Sequence, residues 1–402
     1  MEDLQLSQKQ YGLLTGIVFT VFYTFVDVIL GMMADRFNRP RLIAIGLFVW
    51  SVMTAASGAA RNFVHMGLAR LFVGAGEATL TPTALSLLSD VFPANRRAMA
   101  SGVYYMGVPL GTAAGLIVAG LLGPQLGWRN SFYIMGVLGV LLVAAVLMIK
   151  DPPRGAMETA DHSGIEAHTS FVAIIGDLFR AMRTSPAFMW TITGAVITHI
   201  GLAATMFDIQ WLVAERGFTR SSAPLIAGSL YALAGMLGTA GGGALADWCH
   251  QRWSGGKLWF LVVIGVGSIP FGIAYRFVDS SHWFFYVCFV VGSIAITAFY
   301  GPVFSAVQDL APARVRSTSI AFLLFMVNMI GIGGGAFVIG VLIDAFEGRG
   351  IEEPMTYGIL IGALIGMLSA VAYLFGALTY KKSLDRIAVQ GPETAEPFSS
   401  KE

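Results

Sequence analysis

Long apolar runs separated by short polar loops occupy almost the whole chain. Eleven of them, at roughly 12–34, 41–60, 66–89, 98–123, 131–149, 187–207, 224–246, 257–275, 283–307, 317–343 and 357–380, stand out. Each approaches or exceeds the ~20 residues that a helix needs to cross the hydrocarbon of a bilayer. Lipid offers no partner to an open strand edge, so these runs predict helices. The first ten residues are polar and no basic stretch precedes the first apolar run, so no removable signal peptide is read there. One stretch has a different period. Residues 170–183 alternate apolar and charged positions at helical spacing, which predicts an amphipathic helix on the membrane surface. It lies in the one long internal linker, 150–185, which opens with KDPPRG and closes with DLFRAMRTSP. The end, 383–402, is polar and predicts a disordered tail.

Composition agrees with the pattern: 56% of residues are hydrophobic and 12% charged, where a soluble domain averages about 25% charged. The chain is therefore read as an all-α polytopic membrane protein whose first partner is the bilayer itself. A net charge of +1 argues against nucleic acid. Cys249 and Cys288 lie far apart, and His250 has no second ligand pair beside it, so neither a disulfide framework nor a metal site is expected. No nucleophile–base pair, metal cluster or phosphate loop suggests an enzyme, and no cofactor is expected. One set of loops carries sixteen Lys and Arg and the alternate set seven. The richer set is assigned to the cytoplasm, which puts the C-terminus inside and, with eleven crossings, the N-terminus outside.

The two sides of the linker repeat each other. GMMADRFNRPR places Gly31 four residues before Asp35, and GALADWCHQR places Gly243 four residues before Asp247. DVFPANRR and DLAPARVR share the pattern D-x-x-P-A-x-x-R, from Asp90 to Arg97 and from Asp309 to Arg316. The offsets are 212 and 219 residues, so the chain reads as a duplicated bundle, a plan common among transporters. Asp35 and Asp247 fall near helix C-termini, where the macrodipole disfavours an anion. They are expected to serve a neighbouring arginine or a facing helix N-terminus. Arg39 and Arg97 are candidate partners on the first side and Arg316 on the second, with Arg36 in the same basic loop. Such clusters either latch the inner face during a conformational cycle or only enforce orientation.

At this point the sequence resembles the major facilitator superfamily. GMMADRFNRPR is similar to its signature between the second and third helices, RLFVGAGEA to its fourth-helix motif, and GWRNSFYIMG to the start of its sixth helix. More narrowly, EDLQLSQKQYGLLTG, VWSVMTAASGAARNF, RLFVGAGEATLTP and GVPLGTAAG resemble the Spinster family of lipid and lysolipid transporters. The resemblance implies a two-bundle fold of twelve helices. This chain supplies five before the linker and six after it, and EDLQLSQKQYGLLTG matches the loop after the family's first helix. The expectation is thus a first bundle at 1–149 without its first helix, a linker at 150–185, a six-helix bundle at 186–382 and a tail at 383–402. Either the start is placed too late or a helix has been lost.

Depth orders the charges within the membrane. Counting ~1.5 Å per residue from Asp90, Glu77 lies ~20 Å above the inner surface, near the midplane, and Arg70 ~30 Å above it. Seven residues apart, they share a helix face but are too far apart to pair directly. A midplane carboxylate must be protonated, paired or facing water, so Glu77 is the candidate proton carrier, the role the Spinster resemblance also implies. Arg70 either snorkels to the outer headgroups or binds an anionic substrate. Asp27, ~12 Å above the inner face, either faces the cavity or stays neutral. His199 and Asn328 lie level with Glu77, each a candidate substrate contact, and Tyr231 and Trp211 are candidate walls of an amphiphile site or simply core. Pro82, Pro109, Pro270 and Pro302 are expected to kink their helices. The expected activity is proton-coupled, alternating-access transport of a small amphiphilic or anionic substrate by a monomer in a cell inner membrane. A facilitator for another organic anion or drug, and a non-transporting sensor or inactive remnant, are the alternatives.

Overall fold

The computed structural model describes residues 2–23, 26, 37–92, 94–153, 171–311 and 316–389, and no strand forms among them. The first half begins with α1 (Gln8–Thr15), opened by a capping box in which the Ser7 Oγ accepts from Gln10 N and the Gln10 Oε1 from Ser7 N. The chain continues beyond Gly16 as helix over 17–23. Then come α2 (Arg39–Gly58), α3 (Phe63–Glu77), α4 (Leu80–Val91) and α5 (Ala94–Leu147). Asn38 and Asn62 cap α2 and α3 with their side-chain oxygens. The linker supplies α6 (Phe171–Thr184), where the amphipathic helix was expected, lying against the next helix.

The second half holds α7 (Pro186–Ala204), α8 (Asp208–Glu215), α9 (Ser222–Arg252), α10 (Lys257–Phe277), α11 (Trp283–Thr297) and α12 (Tyr300–Leu310). It continues with α13 (Arg316–Met326), a π-helix at Val327–Gly334, α14 (Gly335–Glu347), α15 (Pro354–Met367) and α16 (Ser369–Val389). Its core forms two clusters, one around Phe188, Phe260 and Phe299 and the other around Trp211, Phe285 and Phe289.

Two of the four prolines interrupt their helices. Pro82 lacks the N–H that would bond the Ala78 carbonyl, and α3 ends at Glu77 before α4 resumes at Leu80. Pro302 does the same between α11 and α12. In contrast, α10 runs on through Pro270 and α5 through Pro109.

Among the described residues, nine helices are long and apolar enough to cross a membrane, not the expected eleven. Two causes account for the difference. The first expected run, 12–34, passes into residues outside those described. The fourth and fifth are joined in one span, Met106–Leu147, of 42 residues. Gly127, at φ 79°, divides that span with a backbone conformation that suits glycine. The two halves of the molecule meet where α1 lies along α14 and α5 along α9. The first contact is close: a Cβ on Gly12 would sit 2.3 Å from the Ala336 carbonyl oxygen.

Candidate functional site

Glu77 is the last residue of α3, at the break that Pro82 creates. Its side chain is exposed, and Arg70, two turns earlier, is half-buried. The two groups interact through space, but no hydrogen bond or ion pair holds either one among the described residues. Arg70 faces Tyr11 of α1. The Tyr11 hydroxyl donates to the Met206 carbonyl (3.1 Å), its ring meets Phe207 edge-on, and Gln210 reaches the same hydroxyl. Arg70 therefore sits on the seam between the two halves. Glu77 has Tyr104 of α5 nearby, whose hydroxyl lies 3.1 Å from Thr81 Oγ1. A cation and an anion ~10 Å apart along one helix, neither in an ion pair among the described residues, can engage a substrate that carries opposite or exchangeable charge. Tyr11, Tyr104 and Gln210 escaped sequence reasoning. They are neutral residues on helices distant in sequence, and only the fold brings them to Arg70 and Glu77.

His199 and Asn328 both line the wall of a small cavity beside the π-helix. Tyr231 does not join them. Its hydroxyl donates to Asp208 Oδ2 (2.5 Å), and Asp208 accepts from Arg276 Nη1 at 2.8 Å. Both members of that ion pair are at most 2% exposed. The Arg276 guanidinium also lies over Tyr275 and Trp211, at 3.9 and 4.4 Å from the ring centres. Trp211 is fully buried there. This network pins α8, α9 and α10 together. Beside it, Arg216 forks onto Glu353 at 2.8 and 3.1 Å and holds that carboxyl below the usual carboxylate range. Glu215 caps α15 by accepting from Met355 N and Thr356 N, both at 2.8 Å. At the same end Asp344 of α14 accepts from the backbone N–H groups of Gln8 (2.8 Å) and Lys9 (2.9 Å), so a carboxylate from one half caps the first helix of the other.

The opposite, basic end carries the repeated charge clusters. Arg39, at the start of α2, is fully buried, with Nη1 paired to Asp90 and bonded to Ser86, Nε on Asp151 Oδ1 at 2.8 Å and Nη2 on the Pro152 carbonyl at 2.8 Å. In the second half Lys257 opens α10, and its ammonium meets Ser305 and Asp309 (3.0 Å), which also accepts from the Tyr380 hydroxyl at 3.0 Å. Ser86 and Asp90 each lie 219 residues from Ser305 and Asp309, and Arg39 lies 218 from Lys257. The duplication thus extends to matched cation–serine–aspartate clusters. Arg39 and Asp90 are joined as a pair, whereas Asp309 takes Lys257. Asp247 is exposed and unpaired among the described residues, and Gly243 has open space where a Cβ would stand. Asp27, Gly31, Asp35, Arg36 and the side chains of Arg97 and Arg316 lie outside the described residues.

A duplicated helical bundle with matched charged ends is the plan of one large family of carriers, and its family model, described as Major Facilitator Superfamily, matches residues 1–336. The chain belongs to that superfamily. This facilitator is 27% identical to an "MFS-type efflux pump" of Mycolicibacterium smegmatis over 95% of its own length and 87% of the relative's. It is 26% identical to a "Probable sphingolipid transporter spinster homolog 1" of Arabidopsis thaliana over 82% of its length and 70% of the relative's. Among solved structures, it is similar to a bacterial homolog of the human lysosomal transporter Spinster in an inward-facing and unoccupied conformation. The TM-score is 0.78 and the identity 26%, over 96% of this chain and 91% of that one. The facilitator is Spinster-like, and its relatives are transporters rather than enzymes.

Proposed function

We propose that this facilitator moves an anionic amphiphile across the membrane by alternating access, driven by protons, with Arg70 holding the anionic headgroup and Glu77 carrying the proton. The observation that carries the reading is that, among the described residues, Arg70 and Glu77 hold no ion pair, and that Arg70 lies on the seam between the two halves. A guanidinium left without a partner in an apolar span is costly unless it serves a ligand or water. The amphiphile comes from the sphingolipid transporter among the relatives. His199 and Asn328 are proposed substrate contacts, and Tyr231 acts by positioning Asp208 rather than by touching substrate. We assign eleven crossings, five before the linker and six after it, with the basic end in the cytoplasm of a cell whose inner membrane holds the protein as a monomer. Arg39–Asp90 and Lys257–Asp309 brace the cytoplasmic end. Asp344 on the α1 N-terminus closes the outer end, as expected of an inward-facing state. A second reading, export of a drug-like organic anion, is favoured by the efflux pump among the relatives.

Reconstituted in proteoliposomes with an imposed pH gradient, the wild-type protein is expected to move a labelled lysophospholipid faster when the gradient is present. Glu77→Gln should transport at a rate that no longer depends on pH. A retained pH dependence would sink the assignment of Glu77, and a panel in which only small organic anions move would favour export of such compounds.

A further inference from the structure

The π-helix at Val327–Gly334 opens a cavity of about 50 Å³ between itself, α7 and the α11–α12 break. That exceeds the ~10–15 Å³ one water needs. Its walls are mostly rings and aliphatic side chains, among them Phe299, Tyr300, Phe304, Leu323 and Val327. Two polar side chains interrupt them, His199 and Asn328. His199 is 3% exposed. Its Nδ1 lies 2.8 Å from the Ala195 carbonyl oxygen, which can only accept, so Nδ1 carries the proton. In the neutral ring that leaves Nε2 as a hydrogen-bond acceptor. Among the described residues neither Nε2 nor the Asn328 amide has a hydrogen-bond partner. Neither atom is sealed in the core and Asn328 is part-exposed, so both polar groups open onto the cavity and can bond to what enters it.

The surroundings say what can enter. The Phe299 and Tyr300 rings stand edge-on to the imidazole at 5.0 and 5.8 Å and fix its orientation. Tyr300 is part-exposed and marks the mouth. Gly331 lets the π-helix lie directly against His199, since a Cβ there would come within 2.5 Å of the histidine Cβ. Gly333, two residues on, abuts Thr20 of the first half, so the cavity adjoins the seam on which Arg70 sits. By helix rise from Pro186, His199 lies ~20 Å from the basic end, at the depth of Glu77. An imidazole lone pair and aromatic walls repel an anion and favour a hydrogen-bond donor.

We propose that this cavity is a specificity pocket of the transport site. It takes a hydrogen-bond donor on an apolar stem, a hydroxyl or an ammonium, from a substrate whose anionic group sits at Arg70. His199 Nε2 and the Asn328 amide make the bonds. The inference rests on the amphiphile reading above and adds the second recognition point to it.

The test uses the purified full-length protein in detergent and three alkyl phosphates of equal chain length, which carry a hydroxyl, its methyl ether or an amine about eight carbons from the phosphate, the ~10 Å that separates the depths of Arg70 and His199. The wild-type protein should bind the hydroxyl or the amine about tenfold more tightly than the ether. Whichever of the two binds more tightly identifies the donor. In His199→Phe and in Asn328→Leu the preference should fall below about twofold, with the ether's affinity retained. Equal binding of all three probes to the wild-type protein overturns the pocket while leaving the amphiphile reading intact, and this comparison needs no variant. A preference that survives both substitutions also overturns it. Failure to bind any probe overturns the amphiphile reading and the pocket together.

Discussion

Arg39 and Lys257 occupy matched places in the two halves, but they are not equivalent in energy. The planar guanidinium serves Asp90, Asp151, Ser86 and a carbonyl at once, and Asp90 behind it is almost wholly buried. Lys257 is a point charge on Asp309, which is 36% exposed and keeps Tyr380 as a second partner. Arg39→Leu strands a buried carboxylate and should cost ~3–5 kcal/mol. Lys257→Met should cost about 1 kcal/mol or less. Thermal unfolding in detergent checks the order, and an equal loss in both variants would contradict it. At this scale the sequence was partly legible. Arg39, Asp90 and Asp309 stood out through the repeat. Lys257 did not, because a lysine at the start of an apolar run looks like an ordinary orientation signal. The Asp208–Arg276 pair was invisible for another reason: its members are 68 residues apart and each lies at the end of its own helix.

At the scale of elements, the apolar runs foretold most helices closely, since length and hydropathy are what the bilayer selects. Their interruptions were harder to foresee. Proline alone does not decide, as α10 continues through Pro270 while Pro82 and Pro302 part their helices. The two breaks are matched in the repeat, and the residue before each is Glu77 in one half and Thr297 in the other. Thr297 turns inward and donates to the Ala234 carbonyl at 2.9 Å. The first half thus ends its helix at the break on a carboxylate, and the second on a hydroxyl. Pro82→Ala returns a donor to the Ala78 carbonyl and should fuse α3 with α4, turning Glu77 away from Tyr104. The expected outcome is a melting temperature no lower than wild type with transport reduced about tenfold. Unchanged transport would show that the break does not position Glu77. The π-helix had no sequence signal beyond the glycines Gly331, Gly333 and Gly334, which a membrane helix uses equally for close packing.

Across the whole molecule, the two halves divide the work under the proposed mechanism: the first presents the charges and the second the shaped pocket. What joins them at the end remote from the basic clusters is Asp344 on the N–H groups of Gln8 and Lys9, with the Gly12–Ala336 approach beside it. Asp344→Ala removes two charge-assisted bonds, each worth ~1.5–3 kcal/mol, and should shift the population toward states open at that end. A cysteine placed at Lys9, in a protein whose buried Cys249 and Cys288 have been replaced, should then react with a membrane-impermeant thiol reagent at least tenfold faster. An unchanged rate would mean that the seam is held elsewhere. The contact also has a consequence for inheritance. Its donors belong to the main chain, so any residue except proline at positions 8 and 9 preserves them. Substitutions there can accumulate without any answering change at Asp344, and the two sides of the seam will leave no trace of co-evolution although they touch.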